Sequence, residues 1–395
     1  MPSISASVSA VLAKDVYMLT DESNLSIAFK KLKNNHGASV DINEETLIKG
    51  KTGGPVFIKS RTAFGLCVYG KGHYQGHAFI ILRGTRYLAD WLTNLNVGAS
   101  RSTGGQSVHD GFNMAFKSLK PKIQPFVSSL PGKGIHSVHC IGHSLGGALA
   151  TMTADYIQSV TSNKPYLYTF GAPRVGLKNF ADFITGSLTP KKMFRVYHRT
   201  DIVPCIPFWP FIHAPSIESN TYDYFQPSPG AFPAAEWHDM NHYVNSVSGQ
   251  DWKSLRGKRF KTFDSQKVEA WINDKSPVSF TVTHLEWLDK AINYVLSKAL
   301  KGLGSALTLT LSSTFTLMDQ LAYVLKKSID LAENISGLVL NLIGKIMQML
   351  GWNKIVDKIS ATREFIRHVF ESLALKVNTY CQKALDQVLV KGNAI

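Results

Sequence analysis

The pattern of the chain predicts an α/β fold with a mostly parallel central sheet, followed by an all-helical C-terminal region. Three observations carry this expectation. Short β-branched and aromatic runs alternate with helix-like stretches through the first half. Turn residues punctuate those runs at Gly70-Lys-Gly72, Pro131-Gly132, Gly171-Ala-Pro173 and Pro204. After about residue 250 the composition changes, and apolar residues then recur at helical spacing.

The strand-like runs are Phe64 to Tyr69, Ala78 to Leu82, Ser137 to Ile141, Tyr166 to Phe170 and Met193 to Tyr197, with a helix expected over Leu145 to Val160. Lys253, Arg256, Lys258, Arg259 and Lys261 form a basic run before a polar stretch reaching Pro277, which reads as a linker or rim. Thr283-His-Leu-Glu286 has the capping-box pattern, and Leu285, Leu288, Ile292, Val295 and Leu296 follow it on one helical face. The same period returns at Ile335, Leu338, Leu342, Ile346 and Met349, and again from Ile366 to Leu385. Three or four amphipathic helices are expected, forming a bundle or lying on the first domain. The division is an α/β domain over residues 1–265 and a helical region over 280–395. The stretch from Gly302 to Met318 carries no charge over 17 residues; its Ser and Thr content favours a buried helix or hairpin over a membrane span.

At 395 residues, 44% of them apolar and 18% charged, and with a mean hydropathy of −0.03, the chain is neither disordered nor a polytopic membrane protein. The net charge of +15 favours anionic partners. Residues 51–200 hold 18 basic and 4 acidic groups, whereas 201–250 hold 5 acids and no Lys or Arg. No nucleic-acid-binding motif accompanies the charge, so no nucleic-acid partner is expected. Cys67, Cys140, Cys205 and Cys381 lack metal spacing and read as buried thiols. The beginning of the sequence lacks the basic and apolar segments of a secretory signal, which predicts synthesis as a cytoplasmic protein.

Chemistry is concentrated at Gly142-His-Ser-Leu-Gly146, which follows a strand and opens a helix. That is the setting of the G-x-S-x-G elbow of α/β-hydrolases, where glycines let strand and helix approach closely and leave Ser144 at the apex. Ser144 is the expected nucleophile. A serine hydroxyl becomes nucleophilic when an imidazole takes its proton, and a carboxylate must hold that imidazole's tautomer. In the chain order Ser, Asp, His, the carboxylate is Asp201, in the loop after the strand ending at Tyr197. His238 and His242 both follow Asp201 at a spacing that cannot choose between them, with His213 a third candidate. His143 and His109 read as residues supporting the elbow. No metal or cofactor is expected.

These residues resemble the class 3 lipases. The matching segments are Ile81-Leu-Arg-Gly-Thr85, Asp90-Trp-Leu-Thr-Asn-Leu95, Val108-His-Asp-Gly-Phe112, the elbow, Thr169-Phe-Gly-Ala-Pro-Arg-Val-Gly176 and Arg199-Thr-Asp-Ile-Val-Pro204. Together they cover roughly residues 60–250 in the family's order; the last third carries no such resemblance. The resemblance implies an oxyanion hole from Thr85 and the N–H of Leu145, with Asn94 steadying the Thr85 hydroxyl. It implies His238 as the base, through His238-Asp-Met-x-x-Tyr243, and His242 as the alternative. It also implies that Arg86 to Asn96 forms a lid helix, with Trp91 on its apolar side. The expected activity is serine carboxyl-ester hydrolysis, of the phospholipase A kind on membrane glycerophospholipids. Triacylglycerol lipase is the alternative, and a membrane-perturbing or partner-docking helical module the non-enzymatic one. The loop Gly70 to Gly76 and the Val138 to Ser144 segment look closest to bacterial members, some of which are phospholipase toxin effectors. That likeness implies export by a specialised system and an inhibitory or adaptor protein bound through the helical region.

Overall fold

Strand β6 (Ser137–His143) is buried along its whole length, as a central parallel strand must be when both faces of the sheet are covered. The computed structural model that contains it describes residues 3–20, 22–52, 60–84, 98–216, 222–256, 264–302, 317–331, 333–353 and 355–392. Before it in the chain come β1 (Leu47–Thr52), β2 (Ser60–Tyr69), β3 (His77–Leu82) and a separate hairpin of β4 (Ala99–Arg101) and β5 (Ser107–His109). After it come β7 (Tyr166–Phe170), β8 (Met193–His198) and β9 (Tyr224–Gln226). Among the described residues seven strands make one sheet in the order β1-β2-β3-β6-β7-β8-β9. Pairing is antiparallel from β1 to β3 and parallel from β3 to β9, which gives the α/β-hydrolase arrangement. The parallel strands therefore all end at one edge, where ligands bind in open α/β sheets.

Alternation along the strands divides the core in two. Ala78, Ile80 and Leu82 of β3 face one apolar cluster and Phe79 and Ile81 the other. The first cluster packs the sheet against the helices Asp110–Ser129 and Leu145–Val160; the second packs it against Ala6–Asp15, Leu25–His36 and Met240–Val247. The first cluster also runs without a break into the C-terminal helices, through Leu288, Ile292, Leu342, Ile346, Val369 and Val377. One core thus serves the sheet and the helical third.

Among the described residues the last third holds the long helices Val282–Gly302, Leu317–Leu331, Glu333–Leu350 and Arg363–Gly392. The polar stretch before Pro277, expected as a linker or rim, instead contains the helix Ser265–Asn273. Its Val268 and Ile272 are buried, because two apolar residues four apart suffice to seat a short helix on a neighbour. The capping box expected at Thr283 also shifts: the Thr281 hydroxyl accepts the N–H of His284, leaving the Thr283 hydroxyl to accept a bond from Arg199. Most of the uncharged segment, residues 303–316, lies outside the described residues; no described helix is long and apolar enough to cross a membrane.

Candidate active site

β6 ends in a turn that no ordinary side chain packing would produce. Ser144 has φ 56° and ψ −129°, in a region that costs on the order of 1–3 kcal/mol for a residue with a Cβ. Two glycines make the turn feasible. A Cβ on Gly142 would lie 2.0 Å from the carbonyl oxygen of Gly146, and one on Gly146 would lie 2.1 Å from that of Leu82. The backbone bond from Ser144 N–H to the Phe170 carbonyl, 3.0 Å, pins the apex to β7.

Three side chains from three loops meet there. His238 Nε2 lies 2.9 Å from Ser144 Oγ, and His238 Nδ1 lies 2.8 Å from Asp201 Oδ2. The carboxylate fixes the tautomer: Nδ1–H donates to Asp201, so Nε2 is free to accept the serine proton. Asp201 is itself held from three sides, accepting the Val203 N–H on Oδ1 and the Tyr243 hydroxyl on Oδ2 at 2.6 Å, besides the imidazole. Ser144, Asp201 and His238 are 1%, 1% and 0% exposed. The structure brings Ser144 and Asp201, read from motif and chain order, together with His238, the histidine that the resemblance implied, and places His242 elsewhere. The His242 ring packs at a tilt against Trp237, and His213 Nε2 donates to the Pro204 carbonyl.

A second layer of hydrogen bonds holds the imidazole. His143 Nε2–H donates to the His238 carbonyl at 2.8 Å, and His143 Nδ1 accepts the Tyr17 hydroxyl at 2.7 Å. Tyr17 in turn accepts the Gly84 N–H at 2.9 Å. Burial keeps His143 neutral by pushing its pKa well below the ordinary range, which this donor-acceptor order requires. His198 Nδ1 donates to the Trp237 carbonyl at 2.9 Å, fixing the turn that carries His238. His109 accepts the Gly111 N–H and caps the helix after β5.

Three contributors were not singled out in the sequence. Gly171, read there as a turn marker, has φ +54°, and a Cβ on it would meet Asp201 Oδ2 at 2.8 Å and His238 Nδ1 at 3.0 Å. Only a glycine lets β7 pass beneath the relay. Tyr243 stood in the motif quoted for His238 without a role of its own. Tyr17 has no local signal at all, since its part depends on a contact across 126 positions. Of the expected oxyanion residues, Leu145 opens the helix after the elbow, where its N–H has no intrahelical partner. Thr85, Trp91 and Asn94, with the whole expected lid, lie outside the described residues. Among the described residues no group of three or more His, Cys, Asp or Glu side chains is placed to hold a metal ion.

Buried neutral histidines make stability depend on acid. Burial lowers His198 to about 4 and, with help from His77, lowers His139 to about 3. In the unfolded chain both titrate near 6.5, so below that pH the unfolded state binds more protons and folding stability falls. The expected loss is roughly 1.4 kcal/mol per pH unit for each histidine between 6.5 and its native value. Urea unfolding at pH 7 and pH 5 measures it; equal midpoints at the two pH values would contradict the assignment.

Residues 79–211 match the family model described as Lipase (class 3). Over 132 residues the chain is 36% identical to the secreted mono- and diacylglycerol lipase 1 of Fusarium solani, a match covering 32% of this chain and 38% of that protein. Over 195 residues it is 28% identical to phospholipase A1-II 1 of Oryza sativa subsp. indica, covering 42% and 49% of the two. The chain thus spans less than half the length of these curated relatives. Among solved structures it is similar to the nonglycosylated LIP2 lipase of Yarrowia lipolytica, at 22% identity and a TM-score of 0.44, over 58% of this chain and 81% of that one. These relatives are fungal and plant proteins, and they lend nothing to a kinship with bacterial toxins.

Proposed function

Residues 79–211 belong to the class 3 lipase family, and from that premise we propose that the protein is a carboxylic ester hydrolase that cleaves fatty-acyl esters of lipids. The observation that carries the reading is the continuous bond path Ser144 Oγ, His238, Asp201 at a strained strand-to-helix apex. Ser144 Oγ attacks the ester carbonyl carbon as its proton passes to His238 Nε2, and Asp201 stabilises the imidazolium that forms. The Leu145 N–H faces the developing oxyanion, a role in which one donor is worth on the order of 3 kcal/mol. His238 then returns the proton to the leaving alcohol. Water, deprotonated by the same imidazole, attacks the acyl-serine carbonyl, and collapse of that intermediate releases fatty acid and restores the hydroxyl.

The substrate we favour is a membrane glycerophospholipid, cleaved as a phospholipase A. Support comes from the charge of +15 and from the basic excess over residues 51–200, since each cation near an anionic surface contributes about 1 kcal/mol of attraction. A phospholipase A1 and a mono- and diacylglycerol lipase both stand among the similar proteins, so neutral glycerides are the competing substrate. Fatty-acid release from anionic phospholipid vesicles and from a triacylglycerol emulsion, measured side by side, decides between them. Faster release from the emulsion would reject the phospholipid reading. Mass spectrometry of products from mixed-chain phospholipid assigns the ester position.

A further inference from the structure

Tyr17 reaches the relay from a part of the chain that carries none of the relay's own residues. It sits in the 3-10 turn Val16–Thr20, directly after the helix Ala6–Asp15. That turn is firmly seated. Val16 and Leu19 are buried in the second apolar cluster, and the Asp15 carboxylate accepts bonds from Asn35 and from His36, the latter at 2.8 Å. Gly84, two residues past the end of β3, is held on both its backbone groups: its N–H donates to the Tyr17 hydroxyl at 2.9 Å, and its carbonyl accepts from the Arg83 guanidinium at 2.9 Å. A Cβ on Gly84 would lie 2.6 Å from that hydroxyl and 2.9 Å from Ser144 Cβ. The phenol and the nucleophile are thus neighbours of one backbone position.

The order of protons along this path has one neutral solution. At one end the Gly84 N–H can only donate, and at the other the His238 carbonyl can only accept. The Tyr17 oxygen accepts from Gly84, so its own proton goes to His143 Nδ1, and the His143 proton sits on Nε2 facing the His238 carbonyl. A second proton on His143 breaks this order, because Nδ1 then carries a hydrogen and no longer accepts the phenol's. Burial pushes the Tyr17 phenol up, so the donor persists through the neutral range. The ring centroids of His143 and His238 are 4.6 Å apart. Two cations at that separation repel in a buried site, so a charged His143 opposes the imidazolium that His238 must become. His198 and Tyr243 are the other titratable groups facing His143, and Arg83 and Asp239 are the charged groups facing Tyr17.

We infer that Tyr17 is a positioning residue for ester hydrolysis: its hydroxyl holds His143 in the tautomer that seats the His238 backbone, leaving His238 as the imidazole of the pair that takes up charge. The inference rests on the hydrolase reading above and adds to it a residue outside the matched stretch 79–211. Tyr17 acts through His143, whose bond goes to the His238 carbonyl and so sets where that ring stands. Removing the hydroxyl leaves the Gly84 N–H and His143 Nδ1 unmatched at once. Nδ1, no longer receiving a hydrogen bond, takes a proton more readily, and the titration of His143 moves upward.

The test compares the full-length wild type with Tyr17→Phe, with His143→Gln, whose neutral amide cannot titrate, and with the double variant. Steady-state kinetics on a soluble ester, across about pH 5 to 9, gives kcat and KM free of surface binding. In Tyr17→Phe kcat should fall about tenfold with KM within about twofold of wild type, and the acid limb of its kcat profile should move to higher pH. In Tyr17→Phe/His143→Gln that limb should stay where His143→Gln alone has it. Loss of packing alone would lower the rate without moving the limb. Nitrogen NMR of isotope-labelled histidines reads the tautomer directly, with His143 identified by the signal missing from His143→Gln. Wild-type His143 should be neutral at pH 7 with its proton on Nε2; a proton on Nδ1 overturns the inference even if Tyr17→Phe does not fold. An unmoved acid limb in a folded Tyr17→Phe overturns it as well. A wild type that shows the expected tautomer but hydrolyses neither the soluble ester nor lipid vesicles removes the hydrolase reading, while the hold of Tyr17 on His143 stands supported.

Discussion

Replacing Ser144 by alanine is expected to lower kcat for lipid ester hydrolysis by about a millionfold, the scale seen when a serine nucleophile of this kind is removed. The change deletes one oxygen from a buried site and leaves the backbone path of the elbow intact. What remains is transition-state binding by donors such as the Leu145 N–H, which sustains on the order of a thousandfold to ten-thousandfold over water. Stability should fall by only about 1–3 kcal/mol, the scale of leaving the buried His238 Nε2 without its serine partner. Fatty-acid release by purified wild type and variant, with unfolding curves for both, checks the two halves together. A variant that retains a tenth of the wild-type rate would show that Ser144 is not the attacking group.

The second large effect is expected from Asp201→Asn, at about ten-thousandfold in kcat. An asparagine here has two orientations, and both fail. With its NH2 toward His238, it donates to Nδ1, forces the proton onto Nε2 and leaves no acceptor for the serine hydroxyl. That orientation also turns a donor toward the Tyr243 hydroxyl, which now donates to the same oxygen at 2.6 Å. With the amide reversed, the NH2 faces the Val203 N–H in place of an acceptor at 3.0 Å. The reversed form keeps the tautomer but loses the negative charge that stabilises the imidazolium. Steady-state kinetics with a soluble ester and with vesicles measures the loss. An equal fall in both substrates is expected, since the defect lies in proton transfer and not in surface binding; a fall confined to vesicles would refute the account.

Much of this site was legible because its signals are local. Gly142, Ser144 and Gly146 sit within five positions, and the strand before and the helix after them could be read from apolar pattern alone. Asp201 followed from its place after a strand and from chain order. The choice between His238 and His242 was not legible from spacing, because four residues apart on a helix share a face. In the structure His238 closes a 3-10 turn and His242 lies inside the next helix, so the two point differently. Tyr17 and Gly171 were hidden for another reason: their parts are set by long-range packing, which leaves no mark on neighbouring positions. The short strands β1 and β9 and the N-terminal helices escaped for the same cause. Edge strands and covering helices owe their form to the sheet they join more than to their own sequence. The Ser265–Asn273 helix shows the converse, a polar stretch made helical by the neighbours it is seated on.

The hydrogen-bond path from Gly84 through Tyr17 and His143 to the His238 carbonyl joins residues 221 positions apart. Such a joint forms late, since distant segments must meet before any of its members is satisfied. Competence for chemistry is thus expected to return after helix content in a refolding chain. Recovery of turnover reports complete assembly in a way that helix content, gained earlier from local segments, does not.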